Sequence, residues 1–315
     1  MNGLTNVIRA ELFKVVRKRR SYLMAGLMWL VVPALLLLIG WILQSRVAGS
    51  FADEAVGLQE IVQLIASPVA ITRNNLLLLG LLSPSLLIIV IALLAALFIG
   101  EERSQNMWKT VLTAQPSRIT VLTGKLIAAM IVFGVLLLGS YVSGLLFGSV
   151  GLLFLPTTFG TDWLELAGLY GLQWVFGLTA MLFAFLMIWL LRNLPLGIVS
   201  IFFLPALLEG AYSFYSVVVG FDRINRFNAA LEALQIQNTV RDLPRYFFST
   251  NLYAPSLQPL GQFAEVFGQD AISDIGGPLA DFLTVDLTRS AIVMAVYALV
   301  FGAVLVWSFT RQDVS

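Results

Sequence analysis

The sequence predicts an all-α integral membrane protein: six transmembrane helices, an N-terminal interfacial amphipathic helix, and a long extracytoplasmic loop between the last two spans. Three observations lead there. Of 315 residues, 59% are hydrophobic and only 12% charged, well beyond the roughly half-apolar makeup of soluble domains. Uncharged runs recur at the length of about 20 residues that a helix rising 1.5 Å per residue needs to cross a hydrocarbon core. The basic residues, finally, gather in alternate connections between those runs.

Residues 1–21 form the first region. Leu4, Val7, Ile8, Leu12 and Val15 recur at helical spacing, with Arg9, Lys14, Arg17, Lys18, Arg19 and Arg20 around them. A basic amphipathic helix gains both from apolar insertion and from anionic headgroups, so the segment is expected along the membrane surface, with the lipid bilayer as its partner. The apolar run Tyr22 to Leu43 is longer than the 7 to 15 residues of a signal-peptide core and reads as a retained first span. Gln44 to Asn75 is a polar connection. Leu76 to Ile99 is the second span, with Ser83 and Pro84 placed to kink it.

A polar loop, 100–118, leads into an apolar stretch from Ile119 to about Leu155, longer than one crossing needs, so part of it should protrude or break. Within it Ser140, Gly144 and Gly148 recur every four residues, the small-residue spacing that lets helix backbones approach closely in lipid. The stripe suits packing inside the chain or against a second copy. Leu166 to Leu191 is the fourth span and Leu194 to about Gly220 the fifth, joined by the short turn Arg192-Asn193-Leu194-Pro195. Pro205 should kink the fifth. The chain thus has five spans within 22–220, an extracytoplasmic segment at 221–289 rich in proline, a sixth span at 290–309 and a cytoplasmic tail at 310–315. Asn225 to Asn238 has the pattern of an amphipathic helix.

Orientation follows from the bases. With a cytoplasmic N-terminus, the inner segments carry twelve of the 19 Lys and Arg, five fall in the long outer loop, and only Arg46 and Arg73 remain in short outer connections. The positive-inside rule then places both termini in the cytoplasm.

Chemistry is sparse. The chain holds no cysteine and no histidine, which removes disulfides, thiol nucleophiles, Cys/His zinc sites and the side chain best suited to proton transfer near neutral pH. No metal site and no catalytic constellation can be assembled. The net charge of +1 gives no pointer to a nucleic-acid partner. Gly124-Lys125 matches the end of a phosphate-binding loop, but Ile119 stands where its first glycine belongs and Leu126 where its Ser or Thr belongs. Glu209, four residues after Pro205, is an acid within an apolar run, and an intramembrane carboxylate points to a transport path or to an interfacial position. In the loop, Trp108, Val111 and Leu112 share one helical face, Pro116 discourages continuation and Ser117 can cap the next helix. That face suits a partner's groove or the bilayer surface.

On these loop residues the chain resembles the membrane subunits of type-2 ABC exporters, bacterial six-span permeases whose ATPases are separate chains. The resemblance rests on Glu101 after the second span, Leu112, Pro116, Ser117-Arg118, Lys125 in the next helix, and Glu11 and Lys14 ahead of the basic run. Asn106 and Met107 stand where many members have Gly-Thr. The resemblance implies a coupling helix from Glu101 to Leu112, with Glu102, Trp108, Lys109 and Val111 on the ATPase, a substrate path near Pro205 and Glu209, and a second permease chain, identical or not. ATP and magnesium would be held by the partner ATPase and no cofactor by this chain, in a bacterial inner membrane. The competing expectations are a secondary transporter or channel acting alone, and a non-transporting scaffold or sensor.

Overall fold

A computed structural model describes residues 2–47, 59, 61–77, 85–104, 117–220, 243–256 and 286–311. All of the regular structure among them is helical. Five helices are long and apolar enough to cross a membrane: Arg19–Arg46, Arg118–Gly151, Trp163–Leu191, Leu194–Tyr212 and Leu287–Arg311. A shorter apolar helix, Leu86–Gly100, lies among them. This is the architecture of a multi-pass helical membrane protein.

The N-terminal amphipathic pattern becomes α1, Asn2–Arg17. It stops at Arg17, short of the end of the 1–21 region, because Lys18 adopts an extended backbone and a new helix, α2, Arg19–Gly26, starts after it. A π-helical segment, Leu27–Val31, joins α2 to α3, Val32–Val47. Lys18 is therefore an elbow between a helix packed on the bundle and the first span.

The largest departure from the sequence reading concerns the second span. The expected connection ending at Asn75 contains a helix, α4, Pro68–Leu76, whose side chains are mostly buried. Ser67 caps it, accepting from the Ala70 N–H, and Pro68 occupies the first turn, where its missing donor costs nothing. Residues 78–84, including Ser83 and Pro84, lie outside the described residues. Helix α5, Leu86–Ala95, then begins afresh on Ser85, whose hydroxyl accepts from the Ile88 N–H. Leu76 to Ile99 is thus not one continuous helix: Leu76 ends α4, and Ser85 opens the next. A second π segment, Ala96–Gly100, follows α5 and passes into α6, Glu101–Ser104.

Ser117 caps α7, Arg118–Gly151, as its place in the sequence suggests, accepting from the Thr120 N–H. At 34 residues α7 runs about 51 Å, far beyond the roughly 30 Å of a hydrocarbon core. It is unbroken over its whole length. The Ser140-Gly144-Gly148 stripe seats α4 of the same chain. An added Cβ at Gly144 would lie 2.6 Å from the Thr72 Cα, and one at Gly148 2.4 Å from the Pro68 Cα. The buried Asn75 amide donates to the Ser140 carbonyl at 2.8 Å and the Ser143 hydroxyl at 3.1 Å, and Arg73 pairs with Glu165 at 3.5 Å. Close backbones and a few side-chain hydrogen bonds are what hold helices together where lipid competes equally for apolar surface.

Helix α8, Trp163–Leu191, is closed by Arg192 in the left-handed conformation (φ 54°). Asn193 Oδ1 then accepts from the Leu196 N–H to start α9, Leu194–Gly220, which runs on through Pro205. From the long segment 221–289, a 3-10 turn, Leu243–Tyr246, and α10, Phe248–Leu252, are described; Asn225 to Asn238 are not. These residues pack among the spans rather than above them. Phe248, Leu252 and Ala254 are buried, with Phe248 against Phe183, Tyr297 and Phe301. The physical reason is the apolar surface of Phe248 and Leu252, which is removed from water, whereas Tyr246 stays exposed. The last span is α11, Leu287–Arg311. Spans α7 and α8 form the centre, with 61% and 72% of their apolar stretch buried, against 33%, 17% and 22% for Arg19–Arg46, Leu194–Tyr212 and Leu287–Arg311.

Candidate functional site

The most concentrated chemistry in the described chain is a knot of charge where α1, the second π segment with α6, and α7 meet. Lys125 sits about two turns into α7 and is completely buried. A naked ammonium in such a place costs several kcal/mol, so its partners determine whether the fold tolerates it. Its Nζ donates to Glu11 Oε1 of α1 at 2.6 Å and to the Phe98 carbonyl at 3.1 Å. It also lies 2.8 Å from Glu102 Oε2, as a charge contact rather than an aligned hydrogen bond. The ammonium thus faces three oxygens, two of them in hydrogen bonds.

Each partner is placed by local structure. Glu11 is on the inward face of α1 with Ile8, Leu12 and Val15, a face that closes on α7 because Gly124 leaves room for Val7, whose Cγ1 would lie 2.6 Å from an added Cβ. The Phe98 carbonyl belongs to the π segment, where the ladder runs from the Glu101 N–H back to the Ala96 carbonyl instead of in the α register. Such bulges relax the helical ladder and are frequent at functional sites. Glu102 follows one turn later.

Lys14, one turn beyond Glu11 on α1, completes the knot. It donates to Glu11 Oε1 at 3.0 Å and to Glu102 Oε1. Two lysines and two glutamates therefore cancel. Burial pushes the Glu102 carboxyl towards its neutral form, but the Lys125 and Lys14 ammonium groups outweigh it and hold its pKa below the ordinary value. Burial likewise disfavours the Lys14 charge, and the hydrogen bond and charge of Glu102 with the charge of Glu11 prevail, raising its pKa. Both shifts favour the ionised forms, as in a satisfied ion-pair network.

A second layer lies at the elbow. Lys18 and Arg20 both donate to Glu101, the latter at 2.8 Å. Glu101 and Glu102 are adjacent, so α6 is gripped from two sides by the N-terminal segment. Gly100 just before it lies under Leu194 at the start of α9, where a Cβ would come within 2.3 Å of Leu194 Cδ1. The other π segment is anchored too: Trp29 Nε1 donates to the Leu136 carbonyl at 2.9 Å, and its ring occupies the space beside Gly139. Arg118 reaches the Thr310 carbonyl at 3.1 Å in the last turn of α11, where a cation complements free carbonyls.

The remaining sequence candidates fall as follows. Trp108, Lys109, Val111, Leu112 and Pro116 lie outside the described residues. Glu101, Glu102, Glu11 and Lys14 come together in the knot and its second layer. Arg118 stands apart from them at α11. Gly124-Lys125 is a packing and ion-pair site, not part of a phosphate loop. Ser140, Gly144 and Gly148 hold α4. Pro205 is buried, and Glu209 Oε1 accepts the Ser249 N–H at 2.8 Å, in the first turn of α10. Phe247, the cap residue there, offers no side-chain acceptor, so Glu209 supplies one from another helix. No group of three or more His, Cys, Asp or Glu fit to hold a metal occurs among the described residues.

Sequence reasoning did not foresee the grip of Lys18 and Arg20 on Glu101, the Phe98 carbonyl, or the seat of Trp29. One signal was present for the knot: Glu11 is the only acid in the first 52 residues, set among bases yet in phase with the apolar positions of α1. Comparison with known proteins places nothing beside this chain, as no family model, curated protein or solved structure matches it.

Proposed function

We propose that this chain is the membrane-spanning permease subunit of an ATP-driven exporter of the type-2 ABC kind, forming a substrate path and taking its driving force from a separate ATPase subunit. The observation that carries the reading is the buried charge knot. It binds α1, α6 and α7 into one stiff unit at the mouth of the loop 105–116, so that a push on that loop reaches three elements together. A protein that used no force at this surface would have little need for seven charged side chains there, since a packed apolar contact is often as stable as a buried ion pair.

In this reading α4 and α5 together make one broken crossing, giving six spans with both termini in the cytoplasm of a bacterial cell, and residues 101–112 dock on the ATPase. The π segment Leu27–Val31 is a compliant joint in the first span, while Ala96–Gly100 is tied into the knot through the Phe98 carbonyl. A second permease chain, identical or not, completes the path, and ATP with magnesium is bound by the ATPase. A transporter acting alone is less favoured, because Glu209 is engaged in holding α10.

The test is co-purification of the full chain from its native host in mild detergent, with and without the double substitution Trp108→Glu and Leu112→Glu. The expected result is a nucleotide-binding protein and ATPase activity with the wild type, both lost with the variant. A wild-type chain that purifies alone and without ATPase activity refutes the proposal.

A further inference from the structure

Helix α1 has two faces, and the knot uses only one. Val7, Ile8, Glu11, Leu12 and Val15 turn inward. On the opposite side Arg9, Phe13 and Arg17 follow one another at four-residue spacing, with Val16 beside them, and all four are exposed. Past the elbow, Arg19 and Tyr22 are exposed as well. Phe13, Val16 and Tyr22 keep 57%, 62% and 63% of their surface open, a costly arrangement for three neighbouring apolar side chains in plain water.

The charges on this side are unanswered. Lys18 and Arg20 turn to Glu101, whereas Arg9, Arg17 and Arg19 make no ion pair among the described residues. The only acid of the first 52 residues, Glu11, is buried on the other face. The Arg17 guanidinium lies over the Phe13 ring at 4.1 Å. A cation–π contact consumes none of the guanidinium N–H donors, so Arg17 keeps the fork that can meet a phosphate with two parallel hydrogen bonds.

What covers the face follows from continuity. The apolar surface continues through Tyr22 and Leu23 to Leu30, Val31, Leu35 and Leu38, the exposed side of the first helix long and apolar enough to cross a membrane. The strip on α1 therefore lies where acyl chains give way to headgroups. We propose that the outward face of α1 and the elbow, formed by Arg9, Phe13, Val16, Arg17, Arg19 and Tyr22, is a docking site for anionic phospholipid headgroups. The lipid phosphates take the arginines, and the acyl chains cover Phe13, Val16 and Tyr22. The helix that carries Glu11 and Lys14 into the knot is thereby held from outside by the lipid. This inference needs the chain to cross a membrane and is independent of any ATPase.

The chain lacks cysteine, so a single Val16→Cys substitution accepts a nitroxide label without background. The full-length labelled chain is reconstituted into vesicles of phosphatidylcholine alone or mixed with phosphatidylglycerol, and the label's collisions with dissolved oxygen and with a water-soluble nickel chelate are measured. In parallel, binding of phosphatidylglycerol to the detergent-solubilised chain is followed by native mass spectrometry for the wild type and for Arg9→Gln with Arg17→Gln. The expected result is a label reached by oxygen and shielded from nickel in the mixed vesicles, and phosphatidylglycerol affinity lowered roughly fivefold for each arginine removed. Both arginines are exposed, so the variant retains its fold, which circular dichroism checks. A label open to nickel in both vesicles, or an affinity unchanged in the double variant, overturns the proposal. So does a label that is covered only when a nucleotide-binding protein is added, which would assign the face to that protein.

Discussion

Replacing Lys125 by Met gives the sharpest test of the charge knot. The lysine has no exposed surface, and the side chains of Glu11 and Glu102 keep only 6% and 9% of theirs. Met preserves the length and apolar stem but removes the charge, the 2.6 Å bond to Glu11, the contact with Glu102 and the donor to the Phe98 carbonyl. Two buried carboxylates would then share Lys14 alone, which is 41% exposed and partly screened. Breaking a buried ion pair by removing one partner costs about 3–5 kcal/mol, most of it the desolvation of the charge left behind. Neutralising that charge should return part of the loss. Lys125→Met combined with Glu102→Gln is expected to cost less than the two single changes added together, by about 1–3 kcal/mol, as residues of one network do. The assay is reversible unfolding of the full chain in mixed micelles with increasing anionic detergent, followed by circular dichroism. A loss below about 1 kcal/mol for Lys125→Met, or strict additivity in the double-mutant cycle, would refute the view that these groups act as one network.

Three further outcomes are expected. Gly148→Ala and Gly144→Ala each place a Cβ within 2.6 Å of the α4 backbone and should cost about 1–3 kcal/mol in the same unfolding assay, while Gly168→Ala and Gly171→Ala, which meet nothing within 4 Å, should cost nothing. Glu209→Ala should destabilise α10 by about 0.5–2 kcal/mol, the worth of a helix N-cap, and speed hydrogen exchange at the Ser249 amide, while Glu209→Gln, which keeps an acceptor, should preserve slow exchange; equal exchange in all three proteins would contradict the capping role. Stability against pH should show a plateau. Glu102 is held below its ordinary value of 4.5, so its contribution is present above that pH and is lost as the pH falls through its lower folded-state value. Lys14 is held above its ordinary 10.5, so its contribution is full below that pH and is lost as the pH rises through its higher folded-state value. Glu102→Gln should soften the acid limb of a thermal-stability profile, and the alkaline limb as well because Lys14 then loses the Glu102 charge that raises its pKa; an unchanged acid limb would count against the assignment.

The long apolar runs were legible because hydrophobic length is itself the physical requirement for crossing a membrane. The ends of helices with strong local chemistry were equally legible: Ser117 caps α7, and Arg192-Asn193 turns α8 into α9. The burial of α4 was not. Its polar residues, Arg73 and Asn75, are read from composition as lying outside the bundle. In the folded chain the Ser140 carbonyl, the Ser143 hydroxyl and Glu165 receive those polar groups, and Gly144 with Gly148 leaves room for their backbone. A polar residue is excluded from a bundle only while it has no partner, and the partners lie some 65 to 90 positions away in the chain. The burial of residues 248–256 was hidden for a related reason, since their apolar side chains are too few for a span and are covered only by contact with other helices.

By itself, then, the amino-acid sequence determined the helical class, the approximate crossings, the absence of thiol and imidazole chemistry, and the set of charged residues available at the base. Those properties depend on composition and on neighbours within a few turns. Tertiary structure alone decided which charges meet. Glu11, Glu102 and Lys125 are ordinary surface residues by composition, and a buried ammonium is permissible only because three separate elements bring oxygens to it within 2.6 to 3.1 Å. That convergence is a property of long-range packing, fixed by Gly124 under α1 and by the π segment that presents the Phe98 carbonyl.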